Sequence, residues 1–173
     1  MPVITASQAG GANRCAFLDM IAYSEIGPEL LSLSDGGYNV EVGSTPQKPI
    51  LFDSYADHPI FHNAALNSDA AGRYQQMGQW WFDFPLPSGK IRPGYKTLMG
   101  YKDFSPLTQD KCALQQIKEH GALPLIDAGK FALAIALVKP LWASLPGAGY
   151  GQHENDFHDL MTAYQSAGGT VSA

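Results

Sequence analysis

The chain has 173 residues, of which 45% are apolar and 16% charged, and its formal net charge at pH 7 is −5. These values are typical of one globular domain with a buried core. The negative charge gives no global argument for binding nucleic acid or an anionic membrane. No stretch reaches the roughly 18 consecutive apolar residues of a membrane span. We therefore expect no membrane insertion. No Cys/His cluster has zinc spacing, so we also expect no metal or cofactor.

The N-terminal segment 1–12 contains no Lys or Arg and no apolar run. A secretory signal needs both features, so we interpret this segment as a flexible tail that precedes a single domain at 13–173. Cys15 and Cys112 both fall in runs with a helical pattern. Two buried free thiols are therefore expected, which fits synthesis in a reducing compartment.

The order of patterns along the chain predicts a mostly helical α+β domain with one small antiparallel sheet. The sheet, a hairpin or three short strands, is expected within residues 35–55, where Gly-Gly precedes a short alternating run. Residues 84–94 carry three Pro and two Gly and are expected to form a loop. Helices are expected at residues 14–25, 70–82 (capped by Asp69), 106–119, 127–143 (broken near Pro140) and 153–167.

Glu25 is the most informative residue of the sequence. It ends an apolar helical run, because Gly27 and Pro28 directly follow and stop the helix. The negative end of the helix dipole and apolar neighbours both disfavour a charged carboxylate. A carboxyl group that stays protonated near neutral pH can act as the proton donor to a glycosidic bond. The plain alternative is a solvated Glu at a frayed helix end.

Seven sequence blocks point to a family. They occur in the order Ala16-Phe-Leu-Asp-Met-Ile-Ala-Tyr-Ser-Glu25, Gly37-Tyr-Asn-Val-Glu-Val-Gly43, Phe52-Asp-Ser-Tyr-Ala-Asp-His-Pro59, Ala71-Gly-Arg-Tyr-Gln75, Lys102-Asp-Phe-Ser-Pro106, Ala113-Leu-Gln-Gln-Ile-Lys-Glu119 and Trp142-Ala-Ser-Leu-Pro-Gly-Ala-Gly-Tyr-Gly-Gln152. In these blocks the chain resembles the lambda-type bacteriophage endolysins, which are lytic transglycosylases of the lysozyme superfamily. The resemblance covers residues 14–170. The Pro-rich tract 84–99 and the N-terminal tail are longer than in one member of that family.

The resemblance implies a lysozyme-like fold of two lobes with a cleft between them, and a bacteriolytic enzyme that cleaves the bond between N-acetylmuramic acid and N-acetylglucosamine. It implies that Glu25 is catalytic, that the protein is a monomer made in the host cytoplasm, and that it reaches periplasmic peptidoglycan with the help of a holin, a separate pore-forming protein. The residues expected to contact the glycan are Tyr38, Asn39, His58, Tyr74, Gln75 and Tyr150.

Several of these residues have a second interpretation. Gln75 either contacts an acetamido or hydroxyl group of the glycan or lies on a helix surface. Tyr150 lies in a Gly-rich loop. It either forms a hydrogen bond with Glu25 or with the substrate, or it has a packing role at a hinge between lobes. His58 either fixes its loop or contacts the glycan. Of the adjacent pair Trp80 and Trp81, one is expected in the core and the other partly exposed.

Asn39 occupies a place where a relative has Asp, which removes the best candidate for a second catalytic carboxylate. Glu41, Asp53 and Asp57 remain candidates. A lytic transglycosylase needs no second carboxylate, because the C6 hydroxyl of muramic acid is the nucleophile and forms a 1,6-anhydro ring. The alternatives are a hydrolytic muramidase, for which a second carboxylate would be expected, and a non-catalytic glycan-binding wall protein.

Overall fold

The computed structural model describes residues 1–151 and 153–172 of the chain. The elements in chain order are α1 (Ala6–Ala9), α2 (Ala12–Ile26), α3 (Pro28–Leu33), α4 (Gly78–Trp81), β1 (Phe84–Pro85), β2 (Ile91–Arg92), α5 (Tyr95–Met99), α6 (Pro106–Glu119), α7 (Leu123–Asp127), α8 (Phe131–Val138) and α9 (Phe157–Ser166). Within the described residues, no helix is both long enough and apolar enough to cross a membrane. The predicted fold class, mostly helical with a small antiparallel sheet, is confirmed.

The chain divides into two compact units. The helical unit combines residues 1–27 with 110–173, and the loop-rich unit is residues 28–109. The chain returns from the loop-rich unit to the helical unit inside α6, between Gln109 and Asp110.

The helical unit is built around α2, which contacts α1, α7 and α9. Its core contains an aromatic cluster of Phe17, Phe131 and Tyr164, in which the Phe17 and Phe131 ring centroids lie 6.1 Å apart and those of Phe131 and Tyr164 lie 4.9 Å apart. Large rings in edge-on and stacked contact bury much apolar area in a small volume. The predicted free thiols Cys15 and Cys112 are confirmed, and both are buried.

The first twelve residues differ from the expected flexible tail. Thr5 and Gln8 form a reciprocal capping box at the start of α1. Ile4 is buried, and its backbone N–H donates to Asp110 Oδ2 at 2.8 Å. The segment lacks a long apolar run, but one apolar anchor, one cap and a bond to a buried carboxylate suffice to hold it against the helical unit.

The loop-rich unit places its β structure differently from the prediction. Residues 35–55 contain isolated bridges rather than strands, namely Val40 with Leu51 and Thr45 with Lys48. The two-stranded sheet lies instead in the tract expected to be a loop, where β1 pairs antiparallel with β2. The turn residues of that tract close a short hairpin, with the N–H of Leu86 bonded to the carbonyl of Lys90 at 2.8 Å.

The predicted helix at residues 70–82 is wrong except for its last turn. Gly72 has φ +78° and Gln75 has φ +45°, and these left-handed conformations close a tight turn in which Ala71 and Gln76 exchange two backbone hydrogen bonds. Only α4 remains helical, and Asp69 Oδ1 accepts from the N–H of Gly78 at 3.1 Å.

The predicted bounds of α6 are confirmed, with Pro106 at its first position and Gly121 (φ +73°) beyond its end. The expected helix 127–143 is shorter in the structure, where only α8 lies within it; Gly129 takes φ +69° between α7 and α8, and α8 ends before Pro140. The last helix starts later than expected, since Asp156 caps α9 by accepting from the N–H of His158 at 2.7 Å.

The two adjacent tryptophans behave as predicted. Trp81 is fully buried, whereas Trp80 is 46% exposed. The Trp81 ring packs edge-on against Phe104, with centroids 4.9 Å apart, and stacks on Tyr101 at 5.9 Å. Trp81 therefore lies in the core of the loop-rich unit.

Candidate active site

Glu25 lies in the last turn of α2. The helix ends because Gly27 takes φ +78°, with its N–H bonded to the carbonyl of Tyr23 at 3.0 Å, and because Pro28 begins α3. Glu25 is half-buried, and its neighbours Ser24 and Ile26 are buried. The sequence therefore places one carboxyl group at the C-terminal, negative end of α2, a helix that lies largely in the core of the helical unit.

The environment of Glu25 favours the protonated carboxyl group. Burial raises its pKa to about 7, while hydrogen bonds from the side chain and the backbone of Ser144 act in the opposite direction. Burial prevails because the charged form loses more hydration than one serine can replace. A pKa of about 7 agrees with the expectation of a carboxyl group that keeps part of its protonated form near neutral pH. Such a group can donate a proton and then accept one.

A short network of polar side chains holds Glu25. The Ser144 hydroxyl donates to Glu25 Oε1 at 2.5 Å. The hydroxyl oxygens of Ser24 and Ser144 lie 2.7 Å apart. Asn155 Nδ2 lies 3.1 Å from the Ser24 hydroxyl oxygen and 3.0 Å from the Ser24 carbonyl oxygen. The sequence analysis did not identify Ser144 or Asn155, although Ser144 lies in one of the seven blocks.

The loop that follows Ser144 is closed by hydrogen bonds between its own residues. The Glu154 carboxylate accepts from the N–H groups of Gly147 at 2.7 Å and of Gly149 at 2.8 Å, which lowers its pKa. The N–H of Asn155 then bonds to the carbonyl of Ser144 at 2.8 Å. This closure returns Asn155 to the start of the loop, where its side chain reaches Ser24.

Tyr150 does not form the predicted bond to Glu25. Its hydroxyl donates to the carbonyl of Pro140 at 2.9 Å, and the residue is 56% exposed. Ser144 supplies the hydrogen bond to Glu25 instead. The exposed face of the Tyr150 ring remains open to a ligand of the helical unit.

The other predicted glycan contacts belong to the loop-rich unit. Tyr38 and Tyr74 are each only 3% exposed, so both rings are mainly packing groups. The Arg73 guanidinium lies 5.2 Å from the centre of the Tyr38 ring. Asn39 is half-buried, and its Oδ1 accepts from the N–H of Asp35 at 3.0 Å, which fixes the turn before it.

Gln75 and His58 both bond to backbone carbonyl groups. Gln75 Nε2 donates to the carbonyl of Gly72 at 2.9 Å and approaches that of Val40 at 3.4 Å, so the structure brings Gln75 beside the segment that carries Tyr38 and Asn39. His58 is 2% exposed. Its Nδ1 lies 2.7 Å from the carbonyl oxygen of Pro59, and its Nε2 lies 2.7 Å from that of Gln76. This arrangement supports the loop-fixing role of His58 over a direct glycan contact.

Of the remaining acidic candidates, Asp53 is exposed, whereas Glu41 and Asp57 have defined surroundings. Glu41 is 8% exposed, and burial raises its pKa. Burial tends to raise the pKa of Asp57 as well, but hydrogen bonds from Lys96, Trp81 and the N–H of His58 lower it. Within residues 1–151 and 153–172 no group of three or more His, Cys, Asp or Glu side chains is arranged to hold a metal ion.

Known proteins share both the sequence and the fold of this chain. The endolysin family model matches residues 15–171. The endolysin of Escherichia phage lambda is 45% identical over 92% of this chain and 93% of its own length. The endolysin of Escherichia phage P2 is 41% identical over 98% of both chains. The structure of bacteriophage lambda lysozyme complexed with a chitohexasaccharide is 43% identical, with a TM-score of 0.79 over 94% of this chain and 97% of the other.

The fold, which matches that of bacteriophage lambda lysozyme, defines a lysozyme-like enzyme. The chain belongs to the endolysin family, and it is of the lambda type. The family resemblance that the seven blocks predicted is confirmed.

Proposed function

We propose that this chain is a lytic transglycosylase of peptidoglycan, with Glu25 as both general acid and general base. The observation that carries this proposal is the pKa of about 7 at Glu25, which makes both protonation states available near neutral pH. A relative whose structure holds a chitohexasaccharide supports a glycan substrate.

In the proposed reaction, Glu25 first donates its proton to the oxygen of the bond between N-acetylmuramic acid and N-acetylglucosamine. As the bond from the muramic acid C1 to that oxygen breaks, the C6 hydroxyl oxygen of the same ring attacks C1. The Glu25 carboxylate then takes the C6 hydroxyl proton, which restores the acid for the next turnover. The products are a free N-acetylglucosamine end and a 1,6-anhydromuramic acid end, and no water is consumed.

The surroundings of Glu41 and Asp57 agree with a reaction that uses one carboxyl group. Burial disfavours the charged form of Glu41, so it is poorly suited to act as a nucleophilic carboxylate. The Asp57 carboxylate is occupied by Lys96, Trp81 and a backbone N–H. A retaining hydrolase would need a second, ionised carboxylate beside the acid.

Digestion of purified sacculi in water enriched in ¹⁸O tests the proposal. A transglycosylase gives unlabelled products that are one water lighter than those of hydrolysis. A hydrolytic muramidase, the main alternative, gives labelled reducing ends. A non-catalytic glycan-binding protein gives no soluble products, and the supported acid at Glu25 argues against this third function.

We further propose that the enzyme acts in the periplasm as a monomer after a holin opens the inner membrane. This proposal rests on membership of the lambda-type endolysins. Expression in a Gram-negative host should give little lysis until chloroform or a holin is supplied. Prompt lysis without either would contradict the dependence on a holin, and a dimer in sedimentation experiments would contradict the monomeric state.

A further inference from the structure

The amide of Asn155 is a donor to the active-site network, and its orientation is fixed. Nδ2 lies 3.0 Å from the Ser24 carbonyl oxygen and 3.3 Å from the Ser144 carbonyl oxygen. Carbonyl oxygens only accept hydrogen bonds, so the NH₂ group must face them and the amide oxygen must point elsewhere. The same NH₂ group lies 3.1 Å from the Ser24 hydroxyl oxygen, to which it can only donate.

The two serine hydroxyls between Asn155 and Glu25 have one hydrogen each. If Ser144 gives its hydrogen to Glu25 Oε1, the contact of 2.7 Å between the serines is made by the hydrogen of Ser24. Every donor then points the same way: Asn155 to Ser24, Ser24 to Ser144, and Ser144 to Glu25. Aligned hydrogen bonds of this kind polarise and strengthen one another.

We propose that Asn155 and Ser24 are positioning residues that, through Ser144, confine the acidic proton of Glu25 to Oε2. This inference rests on the proposed role of Glu25 as the general acid. Because Oε1 is held as an acceptor by the Ser144 hydroxyl, the proton is carried by Oε2, the oxygen that this hydroxyl does not hold. After proton transfer, Ser144 continues to stabilise the charge on Oε1, and Oε2 is the atom that takes the next proton.

The opposite alignment lacks a final acceptor. If Glu25 carried its proton on Oε1 and donated to Ser144, Ser144 would donate to Ser24. Ser24 would then have to donate in turn, but Asn155 Nδ2 cannot accept, and the described residues offer the Ser24 hydroxyl no other hydrogen-bond partner. Since Ser24 is only 8% exposed, its hydrogen would be left unpaired in the interior.

The change Asn155→Asp tests this direction with little change in shape. A carboxylate at this position accepts a hydrogen bond from Ser24, so it reverses the chain and draws the proton of Glu25 onto Oε1. The matched control is Asn155→Ala, which removes the side-chain contacts without supplying an acceptor and leaves room for a water to donate. Both variants are to be compared with the wild type for kcat and KM on soluble peptidoglycan strands, and for Tm.

We expect Asn155→Asp to lower the maximal kcat by about tenfold relative to Asn155→Ala, with KM changed by less than about twofold. The loss should shrink as the pH falls and the new carboxyl group becomes a donor. A second expectation concerns Ser24→Ala. In that background, Asn155→Asp should have little further effect, because the chain is already broken.

Three results would overturn the proposal. Equal kcat in the Asp and Ala variants, with losses that follow Tm, would make Asn155 a structural clip. If the pH profile of kcat in Asn155→Asp moved to higher pH and kept its maximum, the effect would be simple repulsion between the new carboxylate and that of Glu25. An undiminished effect of Asn155→Asp in the Ser24→Ala background would exclude the relay. None of these depends on whether C6 hydroxyl or water attacks, so ¹⁸O labelling tests the proposed reaction separately.

Discussion

The two units of this molecule use buried polar groups in different ways. The helical unit has an aromatic and aliphatic core, and its half-buried Glu25 accepts a hydrogen bond from Ser144, which belongs to a short donor network. In the loop-rich unit, buried polar side chains such as Gln109 and His58 bond to backbone groups and hold an irregular chain. In the helical unit, therefore, polar groups hold one carboxyl group, whereas in the loop-rich unit they replace regular secondary structure.

The largest effect is expected from a comparison of Glu25 in the helical unit with Glu41 in the loop-rich unit. Glu25→Gln should lower the rate of peptidoglycan cleavage by about 10²–10⁴-fold, because Gln can neither give nor take the proton. Glu41→Gln is the matched control in the loop-rich unit and should keep most of the activity. The check is clearing of permeabilised Gram-negative cells. Comparable losses in both variants would show that Glu25 has no special role.

The second effect concerns the core of the helical unit. Phe131 contacts the rings of Phe17, Tyr164 and Phe157. Phe131→Ala should lower the free energy of unfolding by about 3–5 kcal/mol, because it leaves a cavity among rings. Leu133→Ala, on the same helix but 55% exposed, should cost less than about 0.5 kcal/mol. Urea unfolding measures both, and similar midpoints for the two variants would contradict this account of the core.

The third effect concerns the loop-rich unit. Gln109 Nε2 donates to the carbonyls of Tyr38 (3.0 Å) and Phe104 (2.9 Å), and its Oε1 accepts from the N–H of Arg73 at 2.9 Å. Gln109→Ala should cost about 1–3 kcal/mol, because buried backbone groups lose their partners. The control Gln115→Ala, on the same helix, removes a solvent-exposed hydrogen bond to Glu119 and should be nearly neutral. Faster amide exchange at Arg73 in Gln109→Ala alone would confirm the role, and unchanged exchange there would refute it.

The smallest effect is the pH dependence of stability that Glu25 introduces. Its folded pKa of about 7 lies above the ordinary value of 4.5, so between these pH values the folded state binds more protons than the unfolded state. The stabilisation is complete below about pH 4.5 and is lost as the pH rises through about 7. For a half-buried group, we expect about 1–2 kcal/mol.

Glu25→Gln lacks this dependence. The urea midpoint of Glu25→Gln minus that of the wild type should therefore increase as the pH is raised from about 5 to about 8. A constant difference between the two proteins across this range would contradict the raised pKa.

Sequence reasoning succeeded where local signals decide the structure. Pro106 and Gly121 mark the ends of α6, and the same logic located Glu25 at the end of α2. It failed at residues 70–82, where the left-handed Gly72 and Gln75 turn the chain back on itself. A Cβ at position 72 would lie 2.2 Å from Gln109 Oε1, so a contact remote in sequence fixes this turn.

The support of Glu25 was not predictable for a related reason. Ser144 lies 119 positions from Glu25, and Asn155 lies 131 positions from Ser24. No periodicity joins residues so far apart. A Ser and an Asn on either side of a Gly-rich loop are also common turn residues, so their types alone carry no sign of a catalytic role.

The most direct test of the central claim is a titration of the Glu25 carboxyl carbon by NMR, in protein carrying ¹³C at the glutamate side chains, with Glu25→Gln identifying the signal. We expect an apparent pKa of about 7. Ser144→Ala should move this pKa higher, because the hydrogen bond from Ser144 favours the charged form. An apparent pKa near the ordinary value of 4.5, unchanged by Ser144→Ala, would contradict this expectation.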